Sequence, residues 1–348
     1  MLLGFYRRVT EHKFATTEHA QRRGAVVIQP LPGIGDMVWH IPHIHNIARA
    51  SQEGFVTLLT KRRSSADRLF AADPYVRSIL WLDRNPGRHD GFRGMLRLAR
   101  DLRARRFAEV WILHGSARYG LATLLAGIPR RIGYGRGWQG FFLSHPVRLP
   151  KTERHGHPIA MADRLIDLTG IPRLETEPRL ILSGPAKENV ARRFGQLPRP
   201  WIALGIGSSE PERHWGKENF AELGANILRD HGGTLYLIGG EPERDMADWI
   251  YDRISRRAHP PQVVIQHPID EVAALLGACS VLVANDTGVC NMAVAVKVPS
   301  VILFNGRYPP LDYSSLISGL VSSAPALGMQ GIGVAAVLAR VSSVLSAR

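Results

Sequence analysis

Apolar, often β-branched runs recur along the chain, and longer stretches with apolar residues at helical spacing separate them. The runs at 25–28, 54–60, 76–82, 109–114 and 130–134 predict strands, with helices between them at 37–50, 65–71, 92–106 and 119–126. Pro42 falls inside the first of these helices and is expected to disturb its first turns. A helix is predicted over 155–168. Residues 172–200 are then rich in Pro and charge, which reads as a linker. A second series follows, with strands at 201–204, 234–238, 262–265, 280–284 and 301–304 and helices at 218–230, 246–255, 269–277 and 289–296. The last predicted helix, 333–348, is expected to lie back across the first series.

Strand–helix alternation of this length predicts an α/β fold with doubly wound parallel sheets. The chain has 348 residues, more than one core usually organises, so two domains are expected. The division reads as a basic tail at 1–24, a first domain at 25–175, a second at 176–330 and a closing helix at 331–348. A 45% hydrophobic content excludes a disordered chain.

Charge narrows the partners. The formal net charge of +14 favours anionic ones: nucleic acid, an acidic membrane surface or a phosphorylated glycolipid. The Arg residues are scattered and do not interleave with aromatics, so nucleic acid is not expected. No apolar run reaches the roughly 18 residues of a membrane span. The apolar start, residues 1–6, is too short for a signal-peptide core. A cytoplasmic protein is expected, with attachment to the inner face of the inner membrane left open. The two cysteines, Cys279 and Cys290, cannot build a disulfide framework and read as buried free thiols.

Four loops carry candidate chemistry, each where a predicted strand ends. Gly33-Ile34-Gly35-Asp36 lets backbone pass close to a ligand and sets a carboxylate at a helix start. On these residues alone it reads equally as a helix cap. Ala203 to Ser209 is a Gly/Ser loop, followed by Arg213-His214-Trp215. Ser208 and Ser209 have hydroxyls for phosphate oxygens, and Arg213 offers a planar fork for a diphosphate. Ile238-Gly239-Gly240-Glu241 reads as a turn with an acidic first helical turn. Asn285-Asp286-Thr287-Gly288 is turn chemistry ahead of an apolar helix, whose amino end favours an anion.

The order of these loops, and the run Asp-Thr-Gly-x-x-x-Met-Ala-x-Ala-x-x-Val-Pro-x-x-x-Leu-Phe from Asp286, resemble glycosyltransferase family 9. These are the ADP-heptose:lipopolysaccharide heptosyltransferases, and the resemblance covers roughly residues 25–312. It implies a GT-B architecture, two Rossmann-like domains facing a central cleft, and an inverting transfer from a nucleotide sugar to an acidic glycolipid. It implies that Asp36 is the general base. It assigns the donor, ADP-heptose in the family, to Ser208, Ser209, Arg213, Trp215, Glu241, Asp286, Thr287, Gly288 and Asn291. Gly35, Arg62, Arg63, Arg118 and Arg131 are the candidates on the acceptor side. Two positions depart from the family pattern: Arg213 stands for Lys and Asn291 for His. No Asp-x-Asp motif occurs, and His40, His43, His45, His155 and His157 lack zinc-site spacing, so neither a metal nor a cofactor is expected. A GT-B enzyme using another nucleotide sugar, or a non-catalytic sugar-nucleotide binder, would share these features.

Overall fold

The structure is a computed structural model that describes residues 24–347 except 151, 154–155, 209, 257–258, 307–312 and 323. Apart from Gly24, the expected basic tail lies outside the described residues. The first half runs β1 (Ala25–Ile28), α1 (Ile34–Ala50), β2 (Val56–Thr60), α2 (Ala66–Leu69), β3 (Val76–Trp81), α3 (Gly91–Arg105), β4 (Glu109–Ile112), α4 (Ala117–Leu125), β5 (Arg130–Gly133), α5 (Gln139–Phe142), β6 (His145–Pro146) and α6 (Pro158–Thr169). The second runs α7 (Gly184–Phe194), β7 (Trp201–Gly205), α8 (Lys217–His231), β8 (Thr234–Gly239), α9 (Arg244–Ser255), β9 (Gln262–Ile265), α10 (Ile269–Ala278), β10 (Val281–Asn285), α11 (Gly288–Ala295), β11 (Ser300–Phe304), β12 (Ile317–Val321) and α12 (Val334–Ser346).

Each half builds one six-stranded sheet, in the orders β3-β2-β1-β4-β5-β6 and β12-β11-β10-β7-β8-β9. All pairings are parallel. The two sheets share one topology, and in both the strand order reverses between the first and fourth strands. Ligands of doubly wound folds sit beyond the strand carboxyl ends at that reversal. Here the reversals fall at β1/β4 and β7/β10, so the loops after β1, β7 and β10 are the ones placed to meet a ligand.

The strands read as unbroken apolar runs because helices cover both faces. Val26 and Ile28 join Leu98, Leu102 and Ala122 of α3 and α4 on one face. Val27 joins Met37, Ile41 and Ile44 of α1 on the other. That second core continues into Leu282, Ala284, Met292 and Ala295 of the second half, so α1 and α11 sit in one apolar layer between the sheets. The far face of the second sheet packs Val281 and Val283 with Leu223, Ile227, Val337 and Val341. On α3, Met95, Leu98, Ala99 and Leu102 face inward and the Arg residues face water, which makes the helix amphipathic. Each such buried Leu contributes about 1.5–3 kcal/mol relative to exposure.

Three expectations need correction. The stretch at 172–200 is not all linker, because α7 forms within it. Ser183 caps that helix by accepting from Ala186 N–H, and Ala186, Val190 and Phe194 bury at four-residue spacing against the shared core. Charged residues and Pro185 on the exposed positions hide this pattern. α12 does not lie across the first half. It packs on α8, β10 and β11, and His231 meets Ser342 at 2.7 Å. Pro42 does not disturb the first turns of α1, which begins earlier than expected, at Ile34, and runs unbroken through Pro42. The edge strands β6 and β12 were absent from the expectation. β6 is only two residues long, and Ile317–Val321 carries a central Gly that dilutes its strand character.

Candidate active site between the two sheets

The amino ends of α1 and α11 face each other. A Cβ built on Gly288 would lie 3.1 Å from the backbone nitrogen of Gly35, and one on Gly35 would lie 3.3 Å from Gly288 Cα. Glycine at both positions lets the two helix ends approach to backbone contact. The first N–H groups of a helix have no partner within it, although Cys290 N–H of α11 bonds the Thr287 carbonyl at 3.1 Å, so donors remain at both helix ends beside the Asp36 and Asp286 carboxylates.

Asp36 sits in the first turn of α1. Its Oδ2 accepts from Gly33 N–H at 3.0 Å, and a Cβ on Gly33 would lie 2.7 Å from that oxygen. Burial pushes the Asp36 pKa up, against the Gly33 N–H and the charge of His157, which both pull it down. A carboxylate raised in this way is a better proton acceptor near neutral pH. Beneath it, the buried ring of His40 bonds the Asp36 carbonyl at 2.6 Å through Nδ1. Burial brings the His40 pKa down to about 3, so the ring is neutral and donates its Nδ1–H.

Across the gap, Asp286 follows β10, Thr287 caps α11 and Gly288 opens it. Arg213 reaches this turn. Its Nη1 lies 3.1 Å from Asp286 Oδ2 and its Nε 2.9 Å from Glu210 Oε2. Burial raises the Asp286 pKa while Arg213 opposes the rise. Asn285 ties the loops together. Its Oδ1 accepts from Trp215 N–H at 3.1 Å, and its Nδ2 donates to the carbonyls of Ile206 at 3.0 Å and Gly207 at 3.2 Å. Ser208 turns its hydroxyl onto Glu210, accepting from its N–H and donating to its carbonyl. Ser209 lies outside the described residues.

The structure separates the remaining donor-side candidates. Trp215 is fully buried, donates its indole N–H to the Ile332 carbonyl at 2.8 Å, and packs edge-on against Phe220. It positions the loop and has no surface to offer a ligand, which corrects its expected donor contact. Glu241 points to solvent in a bidentate pair with Arg244, both contacts at 2.9 Å. Glu243 turns inward instead. It accepts from Gly240 N–H at 2.8 Å, and its Oε2 would stand 3.1 Å from a Cβ on Gly207. Glu243 is therefore the carboxylate presented to the loop after β7, and the sequence signal for it was the capping spacing from Gly240. Asn291 is buried one turn into α11 and bonds Trp39 across the gap.

The acceptor-side candidates also divide. Arg62 and Arg63 follow β2 at the correct edge and are exposed, with Arg62 5.1 Å over the Trp81 ring. Arg118 is at the correct edge, but its Nη2 is held by the carbonyls of His89 and Gly91. Arg131 corrects the expectation. It lies near the amino end of β5, on the wrong side of the sheet, and its guanidinium binds the carbonyls of Phe142, Ile128 and Pro129. The cations gathered at the carboxyl edge are others. Burial and the charges of Arg84, Lys61 and Arg136 together lower the His114 pKa; Arg84 donates to Tyr119, whose ring meets His114 edge-on, and Arg136 packs against Gly115. Lys61 and His114 follow the strands flanking β1, beside the Asp36 loop. They escaped sequence reasoning because they come from separate loops and share no motif.

Both cysteines are free and buried, and burial raises each thiol to about 12, so neither is reactive. Among the described residues, no three His, Cys, Asp or Glu side chains converge as a metal site.

Comparison with known proteins agrees with this geometry. The profile of glycosyltransferase family 9 (heptosyltransferase) matches residues 95–318. Lipopolysaccharide heptosyltransferase 2 of Escherichia coli K12 is 26% identical over 244 residues, covering 65% of this chain and 69% of that protein. A family 9 glycosyl transferase from Veillonella parvula superposes with a TM-score of 0.78 at 18% identity, covering 94% of this chain and 98% of its own. E. coli ADP-heptose LPS heptosyltransferase II superposes at 0.74 with 21% identity, over 93% of this chain and 99% of its own. The fold shared with these structures is GT-B.

Proposed function

This chain belongs to glycosyltransferase family 9, the heptosyltransferase family, and from that premise we propose that it transfers a heptose from ADP-heptose to a lipopolysaccharide core acceptor with inversion. The observation that carries the reading is the meeting of the Asp36 end of α1 with the Asp286–Gly288 end of α11. One helix end brings a base whose pKa is raised, and the other brings helix-start N–H groups beside Arg213.

In this reading Asp36 takes the proton of an acceptor hydroxyl as that oxygen attacks the anomeric carbon. The bond from that carbon to the diphosphate breaks on the opposite face, and ADP leaves with the electron pair. One displacement inverts the centre and needs one base. The α11 N–H groups and Arg213 meet the charge on the departing diphosphate, so turnover proceeds without a divalent cation. Thr287 and Ser208 border the same space, and Glu243 is the carboxylate placed for the ribose hydroxyls. Lys61, Arg84 and Arg136, with exposed Arg62 and Arg63, form a cationic rim for the phosphates and acidic sugars of the acceptor.

The same rim suits an acceptor held in an anionic membrane surface. Phe92 in the first turn of α3, and Trp138 and Phe141 at the start of and within α5, are exposed and stand near arginines in sequence. No helix among the described residues is long and apolar enough to cross a membrane, so contact in this reading is peripheral, from the cytoplasmic side.

Calorimetry with ADP and UDP, with and without Mg²⁺, tests the donor, and transfer from ADP-heptose to a lipid A core acceptor in EDTA tests the reaction. Micromolar ADP binding without metal and EDTA-resistant transfer are expected. Preference for UDP would move the donor to another nucleotide sugar. ADP binding without transfer to any acceptor would leave a sugar-nucleotide binder.

A further inference from the structure

Asn291 is 6% exposed, yet it bridges the two halves of the molecule. Its Oδ1 accepts the indole N–H of Trp39 at 2.8 Å and the hydroxyl of Tyr313. An indole N–H can only donate, so the amide atom facing it is the oxygen. The amide NH2 must then point the other way. It is turned toward the start of α1, where Nδ2 lies 2.8 Å from the place a Cβ on Gly35 would take.

Trp39 belongs to α1, one turn after Asp36, while Asn291 belongs to α11. Trp39 is itself braced: its ring meets His157 edge-on with centroids 4.6 Å apart, and His157 caps α6 by accepting from Ile159 N–H. The group that orients Asn291 therefore comes from the opposite side of the cleft and rests on a third element.

We propose that Trp39, with Tyr313, is a positioning residue that locks the Asn291 amide so that its NH2 donates into the cleft to an oxygen of the nucleotide-sugar donor. This rests on the donor reading above. The lock exists only while α1 and α11 are together. The amide is neutral at all working pH values, so this contact does not titrate, as an imidazole in its place would.

The test is a double-mutant cycle on the full-length chain, read by ADP calorimetry and by donor KM and kcat. Trp39→Phe removes the indole N–H and keeps the ring against His157. It should weaken ADP binding about fivefold, the size of one neutral hydrogen bond. Tyr313→Phe should act in the same direction. In an Asn291→Ala background, Trp39→Phe should cost nothing further, because the group it acts through is gone. Additive losses would overturn the proposal, since they would mean Trp39 supports the fold independently of Asn291. Wild-type affinity in both Trp39→Phe and Tyr313→Phe would overturn it as well. Failure of the wild-type chain to bind ADP would instead defeat the donor reading and the inference together, so the two failures are distinguishable.

Discussion

Gly35 and Gly288 meet where the two halves touch, with a Cβ on Gly288 placed 3.1 Å from Gly35 N and 3.6 Å from Ile34 Cβ. Neither glycine has a positive φ, so both are there for room and not for backbone conformation. Gly288→Ala should therefore fold normally but hold α1 and α11 apart by a few tenths of an ångström. We expect kcat/KM to fall about tenfold with little change in Tm. Steady-state kinetics beside thermal melts check this, and unchanged kinetics would show that the spacing of the helix ends is not critical.

Asp36→Asn keeps an oxygen for the Gly33 N–H and removes the base. The expected loss in kcat is about 10²–10⁴-fold, with ADP affinity retained. Wild-type turnover in this variant would remove Asp36 from the mechanism.

The raised pKa of Asp36 has two consequences of known sign. Activity needs the ionised form, so the acid limb of kcat/KM should lie above the ordinary carboxylate value of 3.8. The folded state also binds this proton more tightly than the unfolded state does, so the group's stabilisation is full below 3.8 and is lost as pH rises through the raised value. At neutral pH, Asp36→Asn should thus melt no lower than wild type. A pH–rate profile and pH-dependent melts measure the two effects separately.

Glu243 and Glu241 lie two residues apart and should behave differently. Glu241 pairs with Arg244 in solvent, whereas Glu243 holds Gly240 and faces Gly207. Glu243→Ala should weaken ADP binding roughly tenfold, the scale of a lost charge-assisted hydrogen bond. Glu241→Ala should stay within about twofold, because an exposed ion pair contributes little. The reverse ranking in calorimetry would return the ribose contact to Glu241.

His45 links the first half to the segment leading to α7, with Asp73 2.8 Å from its Nε2 and Glu175 2.6 Å from its Nδ1. Burial would raise Glu175, but hydrogen bonds from His45 and Arg49 outweigh it and bring the carboxyl down to about 2. Burial likewise disfavours charged His45, yet Asp73 and Glu175 raise its pKa above 6.5. The Glu175 contribution is present above 4.5 and is lost as pH falls toward 2. The His45 contribution is present below 6.5 and is lost as pH rises through its raised value. The cluster should therefore stabilise most between about 4.5 and 6.5, with both limits taken from the ordinary pKa values. Glu175→Gln should lower that maximum and flatten the fall in Tm on either side of it, and a curve parallel to wild type would show the cluster is not coupled to folding.

The α/β alternation, the buried strands and the order of the four loops were legible in the chain itself. Apolar runs covered on both faces, and Gly or Asx residues where strands end, are local consequences of local residues. Asp36 and Asp286–Gly288 could be found for the same reason, since each sits in its own strand–loop–helix unit. Tertiary structure decided what local pattern does not encode. It turned Glu243 inward and Glu241 outward, buried Trp215, and spent Arg131 on backbone carbonyls at the far end of β5. It made a helix inside a charged, Pro-rich stretch, because three apolar positions found α10 to pack on. It gathered Lys61, Arg84 and Arg136 from separate loops, and brought Trp39 to Asn291 from 252 residues away. Such pairings depend on which strand carboxyl ends lie side by side and how closely two helix ends approach, and both follow from sheet order and core packing across the whole chain.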